Sequence, residues 1–192
     1  MSLSNYLKES AEALEKAMTH PGPKRVEEAA RLVVSALQQD KPLLVCGNGG
    51  SASDAMHITG ELVGRFLQER KAINCICLAS NSAVITAWSN DYSFESIFAR
   101  QVEAYGKAGA VLLGISTSGN SENVLRAFEA ARAKSMVTIA LTGEGGGKLA
   151  ALSDVLIDVP SRRTPIIQQL HICIYHYFCE QLEMALSNTP AR

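Results

Sequence analysis

The sequence predicts an α/β domain, a three-layer sandwich in which helices flank a five-stranded parallel sheet. Short apolar runs recur along the chain, and each is followed by a polar or glycine-rich turn and a helical pattern. The runs are almost continuously apolar, as in strands buried on both faces. Alternating strands and helices of this kind form parallel sheets with right-handed crossovers. The predicted strands lie at 42–46, 73–79, 110–115, 136–141 and 155–159.

Helices are predicted at both ends of the chain. Residues 3–19 and 24–39 read as two amphipathic helices separated by HPGP at 20–23, and Pro23 suits a helix start. Residues 165–186 form a long helix whose apolar positions cover more than one side, so we expect it to pack against another subunit as well as the sheet. No linker or repeat interrupts the pattern. We expect residues 1–192 to form a single domain, with 1–39 as an N-terminal helical extension.

Composition and charge exclude several classes of protein. Of 192 residues, 47% are hydrophobic and 19% are charged, which is ordinary for a soluble domain. The net charge of -1 provides no basic field for nucleic acid. No apolar run approaches the roughly 18 residues of a membrane span, and the acidic, amphipathic N-terminus argues against a secretory signal. We therefore expect a cytoplasmic protein without nucleic-acid or membrane partners.

The five cysteines favour a structural role. They are odd in number, form no Cys-x-x-Cys pair and lie in apolar segments, which is typical of buried thiols in a reducing compartment. Cys75 and Cys77 share one face of a predicted strand, so a zinc or redox site is a weaker alternative.

A hydroxyl-rich loop follows the third predicted strand. After the apolar run that starts at Val111 come Ser116, Thr117, Ser118 and Ser121, and a helix begins at about 119–121. The free N–H groups and dipole of a helix start attract anions, and hydroxyls add donors without adding charge. The loop therefore predicts a site for a phosphate monoester. Capping by Ser118 or Ser121 is the alternative, and it explains one hydroxyl well.

A glycine-rich loop, GNGGS at 47–51, follows the first strand. Glycine allows a close approach of backbone and ligand, although a tight strand–helix turn would also use it. The pattern is neither that of dinucleotide-binding folds nor that of the P-loop. In open α/β sheets, ligands bind at the carboxyl ends of strands near the switch in strand order. Both loops are predicted to lie there.

Ionisable side chains on two helices could perform chemistry. His57 and Glu61 are four residues apart, and Asp54 lies on nearly the same stripe. Such residues can bind a metal or act as an acid–base pair; a modest surface ion pair is the alternative. The last helix carries three further candidates, Gln168, His171 and His176.

Spacing alone does not decide which residues of the last helix belong to a site. Gln168 and His176 are eight residues apart, about 12 Å along a helix, and could share an ion only by reaching toward each other or by coming from different subunits. Spacing alone favours Gln168 with His171, although a lone histidine in such a helix is more often a core residue. Asn90 and Asp91 are predicted to form an exposed turn that either caps helices or contacts a substrate hydroxyl.

Four segments carry a resemblance to a known family: CGNGGSASDAMHITGELVGRF, SNDYSFESIFARQVEAYG, VLLGISTSGNSENVL and IIQQLHICIYH. They resemble phosphoheptose isomerases, members of the sugar isomerase (SIS) domain superfamily, in order and spacing over nearly the whole chain. The resemblance implies an aldose–ketose isomerase that converts sedoheptulose 7-phosphate to D-glycero-D-manno-heptose 7-phosphate. This is the first step toward ADP-heptose for lipopolysaccharide core or related surface sugars.

The resemblance also implies a role for each site residue. Glu61 and His176 transfer protons, through an enediol. The phosphate is bound by Ser116, Thr117, Ser118 and Ser121. The sugar is contacted by Asn48, Gly49, Gly50, Glu61, Asn90, Asp91 and Gln168. One zinc ion per subunit is held by His57, Glu61, Gln168 and His176. The family's active sites lie between the subunits of a homotetramer.

Two positions depart from the family pattern. Gln169 stands where many relatives carry glutamate, and Trp88 stands where close relatives usually have a small aliphatic residue. The indole could narrow the sugar pocket or fill the core, so substrate choice is the property that these departures affect.

Three other functions compete with this interpretation. A non-catalytic SIS protein that binds the bacterial replication initiator would have no need of His57, Glu61 and His176 together. A sugar-phosphate-sensing transcription regulator would need a DNA-binding domain and a basic face. An isomerase for another phosphosugar would differ only in its pocket, and the sequence excludes it least.

Overall fold

The computed structural model describes residues 2–187 and contains a single parallel sheet within them. Its strands are β1 (Leu43–Gly47), β2 (Cys75–Cys77), β3 (Val111–Ser116), β4 (Val137–Thr142) and β5 (Val155–Asp158). The strand order is β2-β1-β3-β4-β5, and all four pairings are parallel. The predicted five-stranded parallel sheet is therefore confirmed.

Strand β2 is shorter than the predicted run at 73–79. It lies at the sheet edge and pairs with β1 alone. Hydrogen bonding to β1 extends slightly beyond its ends, since the Leu43 N–H donates to the Asn74 carbonyl at 3.0 Å and the Leu78 N–H donates to the Val45 carbonyl at 2.8 Å. The chain then turns, and the Ser80 hydroxyl donates to the Cys77 carbonyl at 2.8 Å.

Seven α-helices accompany the sheet within residues 2–187. They are α1 (Leu3–Thr19), α2 (Gly22–Gln38), α3 (Gly50–Val63), α4 (Ser82–Asp91), α5 (Ile97–Tyr105), α6 (Glu122–Ala133) and α7 (Thr164–Ser187). The first helix has the predicted bounds. Helix α2 starts two residues before the prediction, with Pro23 in its first turn.

Alternate strand residues enter two separate cores. Leu43 and Val45 pack with α2, α3 and α7, whereas Leu44 and Leu112 pack with α5 and α6 on the opposite face. These cores confirm the predicted three layers. Helix α1 packs against α7 outside them. The single-domain organisation with 1–39 as an extension stays a prediction, and residues 1 and 188–192 lie outside the described residues.

The strand order creates a switch point between β1 and β3. The connection through α3 leads from β1 to β2 on one side, and the connection through α6 leads from β3 to β4 on the other. The loops after β1 and β3 consequently lie next to each other at the carboxyl edge of the sheet, where α/β proteins bind ligands.

Helix α7 is buried on one face and partly exposed on another. Ile172 and Tyr177 keep 39% and 41% of their surface exposed. None of the helices within residues 2–187 combines the length and apolar character that a membrane crossing needs.

All five cysteines are free, but only four are buried. Burial raises the pKa of Cys75 to about 12, which keeps this thiol protonated and inert. The prediction of a buried structural thiol is wrong for Cys173, which is exposed on α7.

A buried carboxylate on α7 holds the segment after α3. Glu183 is 1% exposed. Its oxygens accept three consecutive backbone N–H groups, those of Phe66, Leu67 and Gln68, at 3.0, 2.7 and 3.0 Å. The Arg70 guanidinium lies 3.1 Å away. Burial by itself raises the pKa of Glu183, but the N–H groups and Arg70 outweigh it and leave the pKa below its usual value.

Glu183→Gln should lower the free energy of unfolding by about 3 kcal/mol or more, because it leaves a buried guanidinium without its charge partner. The folded pKa is lower than the unfolded value of about 4.3, so the stabilisation is present above that pH and is lost as the pH falls through the folded pKa. Urea unfolding between neutral and acid pH should show a flatter acid dependence in the variant. Exposed Glu129→Gln is the control, and equal stability of Glu183→Gln and the wild type would contradict this role.

Candidate active site

The loops after β1 and β3 are joined by a pair of amides. The Asn48 and Asn123 side chains each donate to the other's oxygen, and both N···O distances are 2.8 Å. Asn123 is 3% exposed in the first turn of α6. Sequence reasoning found Asn48 but missed Asn123, whose only signal was its position just after the hydroxyl run. The pair fixes the glycine loop relative to the hydroxyl loop.

Two positions of the first loop favour glycine, each for a different geometric reason. Gly49 has a φ of 56°, and a Cβ placed there would meet nothing within 4 Å, so its backbone faces open space. A Cβ on Gly50 would lie 2.3 Å from Nε2 of Gln168. The loop thus brings the backbone of Gly50 close to Gln168, a predicted substrate residue, and leaves room for a ligand at Gly49. These features agree with a binding loop better than with a tight turn alone.

Two hydroxyls of the second loop face each other, and a third is exposed. Helix α6 begins at Glu122, and Ser121 in the preceding capping position makes no capping hydrogen bond. Its Oγ instead lies 2.9 Å from Oγ of Ser116. Ser118 is exposed and accepts the Asn120 N–H at 3.2 Å, which closes a local turn. The capping alternative is therefore wrong for both serines.

A third loop supports the hydroxyl loop from outside. Gly119 has a φ of 66°, and a Cβ there would lie 2.0 Å from the Gly146 carbonyl. The Leu149 N–H donates to the Gly119 carbonyl, and the Lys148 N–H donates to the Asn120 side chain, both at 3.0 Å. Sequence reasoning missed this support, although the run GEGGG at 143–147 was its signal.

Three ionisable side chains meet between α3 and α7. Nε2 of His57 lies 2.9 Å from Oε1 of Glu61, and the ring centres of His57 and His176 are 5.0 Å apart. The ligand atoms of the three residues lie within 4.8 Å of one another, so together they could hold a metal ion. Glu61 keeps only 22% of its side chain exposed. Because a third ionisable residue joins His57 and Glu61, the arrangement is more than the isolated surface ion pair that was the alternative interpretation.

Asp54 belongs to a second layer behind this cluster. It is 8% exposed and accepts the Tyr175 hydroxyl proton at 3.5 Å, and that hydroxyl oxygen also lies 2.9 Å from Nδ1 of His57. Burial raises the pKa of Asp54, while Tyr175 and His57 act in the opposite direction. Sequence reasoning missed Tyr175, because a tyrosine in an apolar helix reads as core.

The candidates on α7 separate into three environments. His171 is fully buried and its Nε2 donates to the Thr142 carbonyl at 3.1 Å; burial lowers the pKa of this imidazole to about 4. The pairing of Gln168 with His171 that spacing favours is therefore wrong, and His171 is a core residue. Gln168 lies against Gly50, whereas His176 lies beside His57.

Asn90 and Asp91 lie in the last turn of α4, so the predicted turn between helices is wrong at these residues. The Asn90 amide donates to Oδ1 of Asp91 at 2.9 Å, and both residues are exposed. Within residues 2–187, no hydrogen bond joins either side chain to the two loops.

The two departures from the family pattern make contacts within the chain. The Gln169 amide donates to the Tyr6 hydroxyl at 3.0 Å. The Trp88 indole N–H donates to Oγ of Ser96 at 2.7 Å, and its ring stacks on Tyr92 with centres 4.1 Å apart. Trp88 packs against the core formed with α5 and α6, which agrees with the core-filling alternative.

Comparisons with known proteins agree with this geometry. A family model for the SIS domain matches residues 5–143. The phosphoheptose isomerase of Rhodospirillum rubrum is 50% identical over 161 residues, which cover 84% of this chain and 86% of that protein. The chain belongs to the phosphoheptose isomerase family.

Solved structures support this membership. Phosphoheptose isomerase GmhA from Neisseria gonorrhoeae is 40% identical, with a TM-score of 0.89 over 95% of this chain and 97% of that chain. A phosphoheptose isomerase from Francisella tularensis is 38% identical, with a TM-score of 0.91 over 95% and 96% of the two chains. The predicted fold, family and enzyme class are confirmed, whereas the roles of individual residues in this phosphoheptose isomerase family member stay predictions.

Asn123→Ala should lower the free energy of unfolding by about 1–3 kcal/mol, because it leaves the half-buried amide groups of Asn48 without their partners. Hydrogen exchange at the backbone N–H groups of 49–51 should accelerate, since the glycine loop loses its link to α6. Chemical denaturation and exchange mass spectrometry measure the two effects. Asn5→Ala, at the exposed start of α1, should change neither. Unaltered exchange at 49–51 in the Asn123 variant would show that the amide pair does not hold the loop.

Proposed function

We propose that this chain interconverts sedoheptulose 7-phosphate and D-glycero-D-manno-heptose 7-phosphate through an enediol. The observation that carries the proposal is the cluster of Glu61, His57 and His176, in a fold that also has a hydroxyl-lined helix start. A carboxylate and an imidazole suffice for proton transfer, and the second feature suits a phosphate. The family membership of the chain points to the same reaction.

The hydroxyl loop binds the phosphate in this proposal. The start of α6 offers backbone N–H groups that have no partner within the helix, together with the positive end of the helix dipole. Four side chains supply neutral donors around it, those of Ser116, Thr117, Ser118 and Ser121. A substrate of this class would hydrogen-bond through its sugar hydroxyls to Asn48, the backbone of Gly49 and Gly50, Gln168, Asn90 and Asp91.

Proton transfer uses Glu61 and His176. Glu61 removes the proton from the carbon next to the carbonyl and returns it to the neighbouring carbon. His176 moves a proton between the two oxygens, so the carbonyl becomes a hydroxyl as the adjacent hydroxyl becomes a carbonyl. No atom is gained or lost overall. Phe66 stacks on His176 with ring centres 5.7 Å apart and limits the orientations of the imidazole.

The same cluster would hold one zinc ion per subunit. Imidazole nitrogens and carboxylate oxygens are preferred zinc ligands, and His57, Glu61 and His176 present three of them close together. Gln168 is the fourth ligand that the resemblance implies. When bound, the ion would polarise the substrate carbonyl. A Glu61 bound tightly to zinc is a weaker base, so we place its proton-transfer role first.

The position of the cluster favours active sites shared between subunits. Gly50 and Glu61 are separated by eleven residues of α3, which is about 16 Å along the helix axis. The reacting carbons and the phosphate of a heptose 7-phosphate are no more than about 10 Å apart, since each single bond is about 1.5 Å long. A neighbouring copy can bring a hydroxyl loop to this cluster. We therefore propose the predicted homotetramer, with the exposed face of α7 in an interface.

The product would enter the route to ADP-heptose and to lipopolysaccharide or related surface sugars. The cytoplasmic location expected from the sequence stays a prediction.

Isomerase activity can be followed by NMR with sedoheptulose 7-phosphate, zinc and the purified protein in heavy water. We expect the aldoheptose 7-phosphate to appear, with deuterium at the carbon beside the carbonyl, because the enediol exchanges the transferred proton with solvent. Glu61→Gln and His176→Ala should each slow turnover by about 10²–10⁴-fold, the usual contribution of an acid–base group. Glu129→Gln is the matched control. No conversion by the wild type would overturn the proposal in favour of another phosphosugar first and a non-catalytic binding protein second.

Ser118→Ala should chiefly raise the KM for the sugar phosphate, by about 10-fold or more, since hydrogen bonds to charged groups contribute about 1.5–3 kcal/mol. The value of kcat should change little, because the hydroxyl contacts the phosphate alike in substrate and transition state. Steady-state kinetics separate the two constants. Ser35→Ala removes an exposed hydroxyl from α2 and serves as the control. An unchanged KM in the Ser118 variant would count against the phosphate-binding loop.

A further inference from the structure

A buried tyrosine lies directly behind the ionisable cluster. Tyr175 is 2% exposed on α7. Its hydroxyl oxygen is 2.9 Å from Nδ1 of His57 and 3.5 Å from Oδ1 of Asp54. The opposite ring nitrogen of His57 is the atom that faces Glu61 at 2.9 Å. His57 is therefore held from both sides, by the phenol at Nδ1 and by the cluster at Nε2.

The surroundings of Asp54 decide where the phenol proton lies. Asp54 is 8% exposed, and its Oδ2 atom has no hydrogen-bond partner within residues 2–187. The Tyr175 hydroxyl is the side-chain donor that reaches Oδ1. A buried carboxylate without any donor is strongly destabilising. An ionised Asp54 carboxylate can only accept hydrogen bonds. The phenol then donates its one proton to Asp54 and can only accept from His57, so Nδ1 of His57 carries a hydrogen.

This proton assignment determines what His57 presents to the cluster. A neutral imidazole with its proton on Nδ1 has a lone pair on Nε2. That lone pair faces Oε1 of Glu61 at 2.9 Å. Two acceptor atoms at this distance repel each other unless a cation or a proton lies between them. The chain from Asp54 through Tyr175 thus prepares Nε2 of His57 to be a metal ligand.

We propose that Tyr175, supported by Asp54, is a positioning residue that keeps the proton of His57 on Nδ1, so that Nε2 joins Glu61 and His176 in binding the metal. Outer-layer partners of this kind orient ligand histidines and raise their basicity. The link to catalysis rests on the proposed function. The proton position itself does not, because it can be observed in the metal-free protein without substrate.

The test compares the wild type with Tyr175→Phe, which keeps the ring and removes the hydroxyl. In two-dimensional ¹⁵N–¹H spectra of histidine-labelled, metal-free protein, the wild type should show a hydrogen-bonded Nδ1–H resonance for His57, and the variant should lose it. Zinc affinity, measured by competition with a chelator, should fall by about 10–100-fold. Tyr105→Phe, at the end of α5 and 41% exposed, should preserve both. Asp54→Asn retains an oxygen that accepts the phenol proton and should preserve the resonance.

Each result supports or overturns the proposal. An unprotonated Nδ1 at His57 in the wild type would overturn it without recourse to any variant. Retention of both the resonance and the zinc affinity in Tyr175→Phe would overturn it as well. If the wild type shows the Nδ1–H resonance and the affinity falls in the variant, but no heptose is converted, the positioning role stands and the proposed isomerase reaction fails.

Discussion

Helices α3 and α7 pack side by side and run in the same direction, and this packing sets the position of the ionisable cluster. Gly50 contacts Gln168, His57 contacts Tyr175 and Phe66 contacts Glu183, at sequence separations of 118, 118 and 117 residues. A nearly constant separation means that the two helices advance together. Gln168 is thereby held at the carboxyl edge of the sheet while His176 lies deeper along the helix layer. Their separation along α7 is a consequence of this packing.

The strand order of the sheet positions the other part of the candidate site, the loops after β1 and β3. Crossovers that leave β1 and β3 in opposite directions open a crevice between the two following loops. Close approach there requires glycine: Gly119 combines positive φ with contact to the loop at 145–147. The Asn48–Asn123 amide pair adds the lateral connection. Neutral hydroxyl donors then lie around the start of α6, where the proposed function places the phosphate.

The sequence predicted those features that follow from local pattern. Continuous apolar runs indicated the strands, and hydroxyls before a helical pattern indicated the loop at the start of α6, whose binding of an anion stays a prediction. The orientation of side chains on α7 was harder to predict, because this helix is apolar on more than one side. Spacing could not tell which histidine faces the sheet: His171 does, and His176 lies beside His57 instead. Contacts distant in sequence, such as Tyr175 with Asp54, left no local signal. The edge strand β2 was overextended because apolar character continues where pairing ends.

The glutamine that departs from the family pattern connects α1 to this architecture. Gln169 follows Gln168 near the start of α7, and its amide donates to the Tyr6 hydroxyl. The Arg163 guanidinium lies over the Tyr6 ring and pairs with Glu9. A glutamate at 169 could only accept from that hydroxyl, whereas glutamine donates and leaves the phenol proton available to another acceptor. The loss of one charge beside Gln168 is thus accompanied by a neutral hydrogen bond that connects the N-terminal helix α1 to α7.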